Sequence, residues 1–269
     1  MSKKIGVMGS GWLGLPLAKQ LVASSNVVHG TTTSQEKLKI LKDAGIAPHE
    51  ISLSAKTIKG DIQDFLEQID FLILNVPPKL RSGNSESFFE KMKLLYSEIK
   101  KSSVSHILFI SSTAVYGDID GEVTEVSIPK PVTESGKQLL ASEQLFIQDN
   151  ELQSTIIRFG GLIGPNRHPV TMLSKRQNLT NGNDPINLIH LEDCIHMVCT
   201  ILEHNYWGEI FNGVYPLHPT KKEFYTNEAL KMGIPPPDYS KSPPSKLNKI
   251  ITSKNFTDRS HSFNTTVIS

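Results

Sequence analysis

Six residues near the start, Gly9-Ser10-Gly11-Trp12-Leu13-Gly14, constrain this chain more than any others. They follow an apolar run, Lys4–Met8, and open a stretch in which Leu13, Leu17 and Leu21 recur at helical spacing. Three glycines at such a junction describe a tight turn between a buried strand and a helix. Gly9 permits the turn, Gly11 lets a ligand approach the backbone, and Gly14 lets the helix pack closely on the sheet. The free N–H groups and positive dipole end of the helix then favour a phosphate. This context, strand then glycines then helix at the N-terminus, is what a dinucleotide-binding loop requires. Gly9, Ser10, Gly11, Trp12, Leu13 and Gly14 are therefore read as cofactor-binding, with Trp12 placed to cover a pyrophosphate.

Beyond the loop, short apolar runs keep alternating with helix-period stretches, which predicts an α/β fold with a doubly wound parallel sheet. Strands are expected at about 4–8, 26–31, 50–53, 71–75, 106–111 and 154–159. Helices are expected at about 13–23, after Thr33 or Ser34, and at 85–101, 133–149, 193–203 and 220–232. Thr33-Ser34-Gln35-Glu36 has the form of a capping box. In the 85–101 segment, Phe88, Met92, Leu95 and Ile99 share one face. After Phe159 the periodicity loosens into glycine-, proline- and polar-rich stretches. The expected division is a Rossmann-type dinucleotide-binding domain over 1–160, with core elements continuing to about 215. A small substrate lobe over 161–256 is interleaved with it, and 257–269 is a tail, partly disordered.

Composition narrows the partners. The 28 basic and 27 acidic residues give a net charge of +1 with no basic stripe, so no nucleic acid is expected. Only two cysteines, Cys194 and Cys199, occur, on one expected helix, which argues for a reducing compartment and against a disulfide framework. No run is long enough to span a bilayer, and the first apolar stretch is broken by glycines and a proline, unlike a secretory signal. A cytoplasmic monomer or homodimer that takes a small molecule in a cleft is the expectation. His190, Asp193, His196 and Cys199 lack the placement of a ligand set, so no metal is expected, and Asp193 is read as a helix N-cap.

The choice of dinucleotide follows from the end of the second strand. An NAD-preferring site carries a carboxylate there. This chain reads His29-Gly30-Thr31-Thr32-Thr33-Ser34, with no acidic residue before Glu36. The hydroxyls of Thr31, Thr32, Thr33 and Ser34, with Lys37, can meet a 2′-phosphate, so NADP(H) is expected and NAD is the alternative. One of these hydroxyls is expected to cap the second helix.

Several segments, taken in order, resemble extended short-chain dehydrogenases of the NAD-dependent epimerase/dehydratase family. They are the glycine loop, Asn75-Val76-Pro77-Pro78, residues 111–117, residues 157–165 and residues 187–193. The resemblance runs from Lys4 to about Phe256 and is closest to an atypical subgroup marked here by Glu134-Ser135-Gly136-Lys137. It implies a Rossmann fold with a small C-terminal substrate lobe, and oxidoreductase or epimerase/dehydratase-like chemistry. It also implies a cofactor groove lined by Asn75, Val76, Pro77, Ser111 and Phe159.

The departures from that pattern are on the substrate side. Ser112 matches the family's catalytic Ser/Thr, but no Tyr-x-x-x-Lys pair follows. Counting back from Glu143-Gln144, the tyrosine position falls on Ser135 and the lysine position on Leu139, both expected to face the cleft from one helix face. A serine hydroxyl without a base is a poor proton carrier near neutral pH. Another register brings Lys137 toward the site, and Tyr116 is a further candidate for the cleft. Thr113 and Ala114 stand where dehydratases carry an acid pair, and Gly161 where epimerases often hold an asparagine. Ser112, Ser135, Lys137 and Tyr116 are thus the candidate catalytic residues. Arg158 is expected to make an internal ion pair or hydrogen bond, and Arg167 to meet an anionic substrate group. Two functions stay open: an enzyme acting on a small carbonyl, alcohol or sugar-nucleotide-like substrate, and a non-catalytic NADP(H) sensor or regulatory module.

Overall fold

The alternation of apolar and amphipathic segments folds into a seven-stranded parallel sheet, seen in a computed structural model that describes residues 2–78, 86–240, 248–265 and 267. Its strands are β1 (Lys4–Met8), β2 (Val27–Thr32), β3 (Ala47–Glu50), β4 (Phe71–Leu74), β5 (His106–Ser112), β6 (Gln153–Phe159) and β7 (Ile210–Gly213). They lie in the order β7-β6-β5-β4-β1-β2-β3. The order reverses between β1 and β4, and the crevice at the C-terminal ends of such strands is where open α/β sheets bind ligands.

The helices are α1 (Gly14–Ala23), α2 (Gln35–Asp43), α3 (Ile62–Glu67), α4 (Phe88–Ile99), α5 (Glu134–Ile147), α6 (Val170–Leu173), α7 (Leu191–His204), α8 (Lys221–Lys231) and α9 (Lys254–Thr257). Strand side chains alternate between faces, so Ile5 and Val7 meet Leu17, Leu21, Met197 and Ile201 of α1 and α7. Met8, Leu72 and Phe109 meet Phe65, Phe88, Met92, Leu95 and Phe146 on the other face. A third, smaller cluster of Ile163, Val170, Ile186, Phe224, Tyr225 and Ala229 forms beside α6 and α8. The four α4 residues expected on one face, Phe88, Met92, Leu95 and Ile99, are all buried. The expected start of that helix at Ser85 lies outside the described residues. Among the described residues no helix is long and apolar enough to cross a membrane.

Four expectations are corrected. The third strand of the sheet is not 50–53 but Ala47–Glu50, paired with β2 from His29↔Ala47 to Thr32↔Glu50. Ser52–Leu53 leaves the sheet and pairs antiparallel with Ile58–Lys59. Pro48 masks the strand in the sequence and is tolerated because β3 is the sheet edge. The short elements α3 and β7 were not foreseen. The capping box does not form: Ser34 is the N-cap of α2 without a side-chain bond, and its amide donates to Thr32 Oγ1 at 3.2 Å. Asp193 is not the cap of α7. That role falls to His190, whose Nδ1 accepts from the Glu192 amide at 3.3 Å. Asp193 is fully buried and accepts from the amides of Asn264 (2.6 Å) and Thr265 (3.2 Å) and from the Thr265 hydroxyl, tying the C-terminal segment to the start of α7.

Candidate cofactor groove and active site

The C-terminal ends of β1, β2 and β4 open into a groove of about 260 Å³. Gly9, Ser10, Gly11, Thr31, Thr32, Thr33, Lys37, Asn75, Val76 and Pro77 line it, with Ile51 and Leu53 as an apolar wall. The glycine loop is clamped from both sides. The Gly9 amide donates to Thr31 Oγ1 at 3.0 Å, the Ser10 amide to the Thr31 carbonyl at 3.0 Å, and Asn75 Nδ2 to the Gly9 carbonyl at 3.0 Å. Gly9 has φ +102°, and a Cβ there would meet the Asn75 carbonyl at 2.5 Å. A Cβ on Gly14 would lie 2.1 Å from the Gly9 carbonyl, so this glycine lets α1 cross the end of β1.

Gly11 differs from both. A Cβ there would meet nothing within 4 Å. The amides of Trp12 and Leu13 find no acceptor among the described residues, whereas the Ser10 hydroxyl, also without a partner, is buried against Gly30 beside Leu41 and Ile46. Unmet donors around open space, at the positive end of a helix, fit the pyrophosphate of a dinucleotide. Thr31 and Thr32 accept from backbone amides through Oγ1, which leaves each hydroxyl hydrogen free to donate. Lys37 stands in the same groove, and no ion pair holds it among the described residues. Lys91, unforeseen in the sequence, also lines the groove but is paired with Glu86 at 2.6 Å.

Two residues implied for the groove face elsewhere. Ser111 is buried and donates to Glu143 Oε1 at 2.5 Å. Phe159 is 2% exposed and packs over Gly213, where a Cβ would strike its ring at 2.3 Å. Leu13 contributes its backbone to the loop while its side chain joins the α1–α7 core. Trp12 reaches the segment after β6: its Nε1 donates to the Pro165 carbonyl at 2.9 Å, and the Arg167 guanidinium lies 4.9 Å from its ring centre. Residues 164–167 form a tight turn in which Gly164 and Arg167 exchange amide-to-carbonyl bonds of 3.0 Å each.

The candidate catalytic residues separate into two groups. Ser112 ends β5, half-buried, and its Oγ accepts from the Ala114 amide at 3.2 Å, so its hydroxyl hydrogen stays available. Thr133 caps α5 by accepting from the Gly136 amide at 3.1 Å. Gly136 brings α5 against the short turn Thr113–Tyr116, for a Cβ there would be 2.7 Å from the Ala114 carbonyl. Ser135, half-buried in the first turn of α5, flanks that contact. The other candidates are corrected. Tyr116 is fully buried; its hydroxyl donates to Asn212 Oδ1 at 2.8 Å and accepts from Arg158 Nη1 at 3.0 Å. The turn after Ser112 rotates it into the core, where burial pushes its phenol pKa up. Lys137 is exposed and shares the outer face of α5 with Gln144 and Gln148. Leu139 does not face the cleft: it is 4% exposed and belongs to the core that also contains Leu74, Phe109 and Phe146.

A buried polar network underlies this end of the sheet. Arg158 makes the internal ion pair foreseen for it, with Nε 3.2 and 3.1 Å from the two oxygens of Glu143 and Nη2 2.6 Å from Oε2. Glu143 also takes the Ser111 hydroxyl, and Asn212 passes the connection on to the Thr252 carbonyl at 3.0 Å. Gln138 was missed in the sequence. Its Oε1 accepts from the amides of Phe88 (2.6 Å) and Phe89 (3.3 Å), capping α4 from across the helix pair, and no local pattern announces such a role. Cys194 and Cys199 are free thiols; burial raises both, Cys199 to about 11. Among the described residues no three His, Cys, Asp or Glu side chains are grouped to hold a metal.

Known proteins share this architecture. A family model described as NAD(P)H-binding matches residues 9–201. Protein YeeZ of Escherichia coli K12 is 32% identical over 250 residues, covering 93% of this chain and 91% of that protein. UDP-N-acetylglucosamine 4-epimerase from Bacillus cereus superposes with a TM-score of 0.79 at 17% identity, covering 98% of this chain and 95% of that one. UDP-glucuronic acid 4-epimerase from Bacillus cereus, in complex with NAD, gives 0.76 at 20% identity, covering 98% and 92%. At these identities the solved structures establish the fold. With the match running from the glycine loop through strands β2 to β6 and into α7, the chain belongs to the NAD(P)H-binding family, built on the Rossmann fold of the NAD-dependent epimerases.

Proposed function

We propose that this chain is an NADP(H)-dependent oxidoreductase of the epimerase/dehydratase type, acting on a carbonyl or alcohol carbon of a small or sugar-nucleotide-like substrate. The observation that carries the reading is the pair of unmet amide donors at Trp12 and Leu13 beside the open space at Gly11, on the same sheet end that presents Ser112 with a free hydroxyl hydrogen. When bound, the cofactor supplies or accepts a hydride at its nicotinamide. Ser112 donates a hydrogen bond to the substrate oxygen, where charge develops as the carbonyl is reduced. Ser135 orders the water that exchanges the proton with solvent, because neither serine has an adjacent base.

Thr32, Thr33 and Lys37 form the site for the 2′-phosphate, since among the described residues no carboxylate lines the groove to repel it. NADPH is expected to bind about tenfold more tightly than NADH, in keeping with one charge-assisted hydrogen bond. Lys37→Ala removes most of that difference. Calorimetry that gives equal affinities for the two dinucleotides in the unaltered protein overturns this assignment.

A second reading, an NADP(H) sensor without turnover, is favoured by the burial of Leu139 in the core and the exposure of Lys137 to solvent, so that neither of the two positions considered brings a lysine to the site. Substrate-dependent NADPH oxidation across a panel of small carbonyl compounds and keto-sugar nucleotides separates the two. The enzyme reading expects turnover that falls on the order of 100-fold in Ser112→Ala. Tight NADPH binding with no turnover on any member of the panel selects the sensor.

A further inference from the structure

A second cavity, of about 290 Å³, lies between the turn after Tyr116 and helix α8, lined by Asp118, Asp184, Asn187, Lys221, Tyr225 and Lys249 among others. It adjoins the reaction end of β5, because Asp118 follows Ser112 by one short turn and Lys249 donates to the Gly117 carbonyl at 2.5 Å. The segment bearing Lys249 is fixed in place. Asn187 Nδ2 donates to the Lys249 carbonyl at 2.8 Å, and Asn187 Oδ1 accepts from the Ile251 amide at 2.8 Å.

Three polar groups here are left unmet. The Lys249 ammonium is half-buried, uses one of its three N–H bonds on Gly117, and makes no ion-pair contact among the described residues, the attraction of Asp118 across the same cavity being the one carboxylate charge felt there. Burial lowers its pKa, as expected of a cation short of compensation. Tyr225 is 6% exposed, and its hydroxyl has no hydrogen-bond partner among the described residues. Burial pushes that phenol up to about 12, so it stays a donor at neutral pH. Asp184 Oδ2 accepts from Lys221 Nζ at 2.9 Å, while its Oδ1 is buried without a partner. A cation and a phenolic donor call for an oxyanion. A lone carboxylate oxygen a little further on calls for a hydroxyl.

We propose that this cavity is a binding site for the oxyanion end of a small hydroxylated substrate, a phosphate or carboxylate held by Lys249 and Tyr225 with a neighbouring hydroxyl donated to Asp184. The assignment rests on the proposed oxidoreductase reading for its chemistry, since it places the anionic end beyond Ser112 and leaves the substrate's reacting carbon on the Ser112 side.

Calorimetric titration of the full chain with inorganic phosphate, gluconate and glucose tests it. Phosphate or gluconate binds the unaltered protein, and glucose does not. Binding by phosphate alone or gluconate alone names the anion; either supports the site. Lys249→Met weakens the binding by about tenfold or more, Lys249→Arg stays within about threefold, and Tyr225→Phe, which deletes one oxygen, costs about threefold. NADPH affinity is unchanged in all three variants. The site is overturned if neither anion binds, or if Lys249→Met or Tyr225→Phe binds the anion as tightly as the unaltered protein. Failure of the cofactor reading has a separate signature: NADPH then fails to bind the unaltered protein, whatever the anions do.

Discussion

Gly11→Val is expected to abolish NADPH binding and leave the fold intact. A side chain at Gly11 meets nothing within 4 Å in the protein, and Gly11 is not among the residues with positive φ, so valine is accommodated without clash or backbone strain. Its branches instead fill the space beside the free amides of Trp12 and Leu13, where the pyrophosphate must come close to the backbone. An affinity loss of at least about 100-fold is expected, roughly 3 kcal/mol, with stability changed by no more than about 0.5 kcal/mol. Gly14→Ala provides the contrast. Its methyl would sit 2.1 Å from the Gly9 carbonyl, so it damages the junction of β1 and α1 itself. Fluorescence titration and thermal melting on both variants make the comparison. A Gly11→Val protein that binds NADPH within threefold of the unaltered chain would remove the glycine loop from the cofactor site.

The largest stability effect is expected at the Glu143–Arg158 pair. Both side chains are almost completely buried, and Arg158 reaches Glu143 through Nε and Nη2 while Nη1 serves Tyr116. Glu143→Ala strands a buried guanidinium and takes away the acceptor of the Ser111 hydroxyl. Breaking one side of such a pair costs about 3–5 kcal/mol. For a chain of this size that corresponds to a melting temperature lowered by about 10 °C. The double change Glu143→Leu with Arg158→Met removes both charges together and is expected to regain much of the loss, since a buried pair replaced by apolar groups is often close to neutral. Tyr116 keeps its bond to Asn212 in that variant. A Glu143→Ala protein melting within a couple of degrees of the unaltered one would show that the network is not what holds β5, β6 and α5 together.

What the sequence reveals is what local rules decide. The glycine loop, β1 and α1 are legible because apolar period, glycine spacing and chain order all act within one short segment. Thr31, Thr32, Thr33, Lys37 and Asn75 follow, since the ends of adjacent parallel strands must share one crevice. Features fixed by distant partners are hidden. β7 ends in Asn212 and Gly213, a poor strand signal, and Asn212 is buried there because it answers Tyr116, 96 residues earlier. Tyr116 looks like a cleft residue because an aromatic after a strand can turn to either side, and only the Arg158 and Asn212 partners decide which. Lys249 follows a Ser-, Pro- and Lys-rich stretch that reads as a solvated linker, and its bond to Gly117 spans 132 positions.

The indole of Trp12 has a thermodynamic consequence. One residue of the glycine loop is also a strut against Pro165 and Arg167, so the loop and the 164–167 turn are mechanically joined. Ligands that meet on opposite sides of such a joint do not bind independently. If occupancy of the groove favours the arrangement in which the indole bears on the 164–167 turn, it strengthens the binding of any ligand beside that turn, and that ligand returns the same factor to the groove's occupant. Order of addition then leaves the final complex unchanged, but the first ligand bound carries the cost of setting the joint for both.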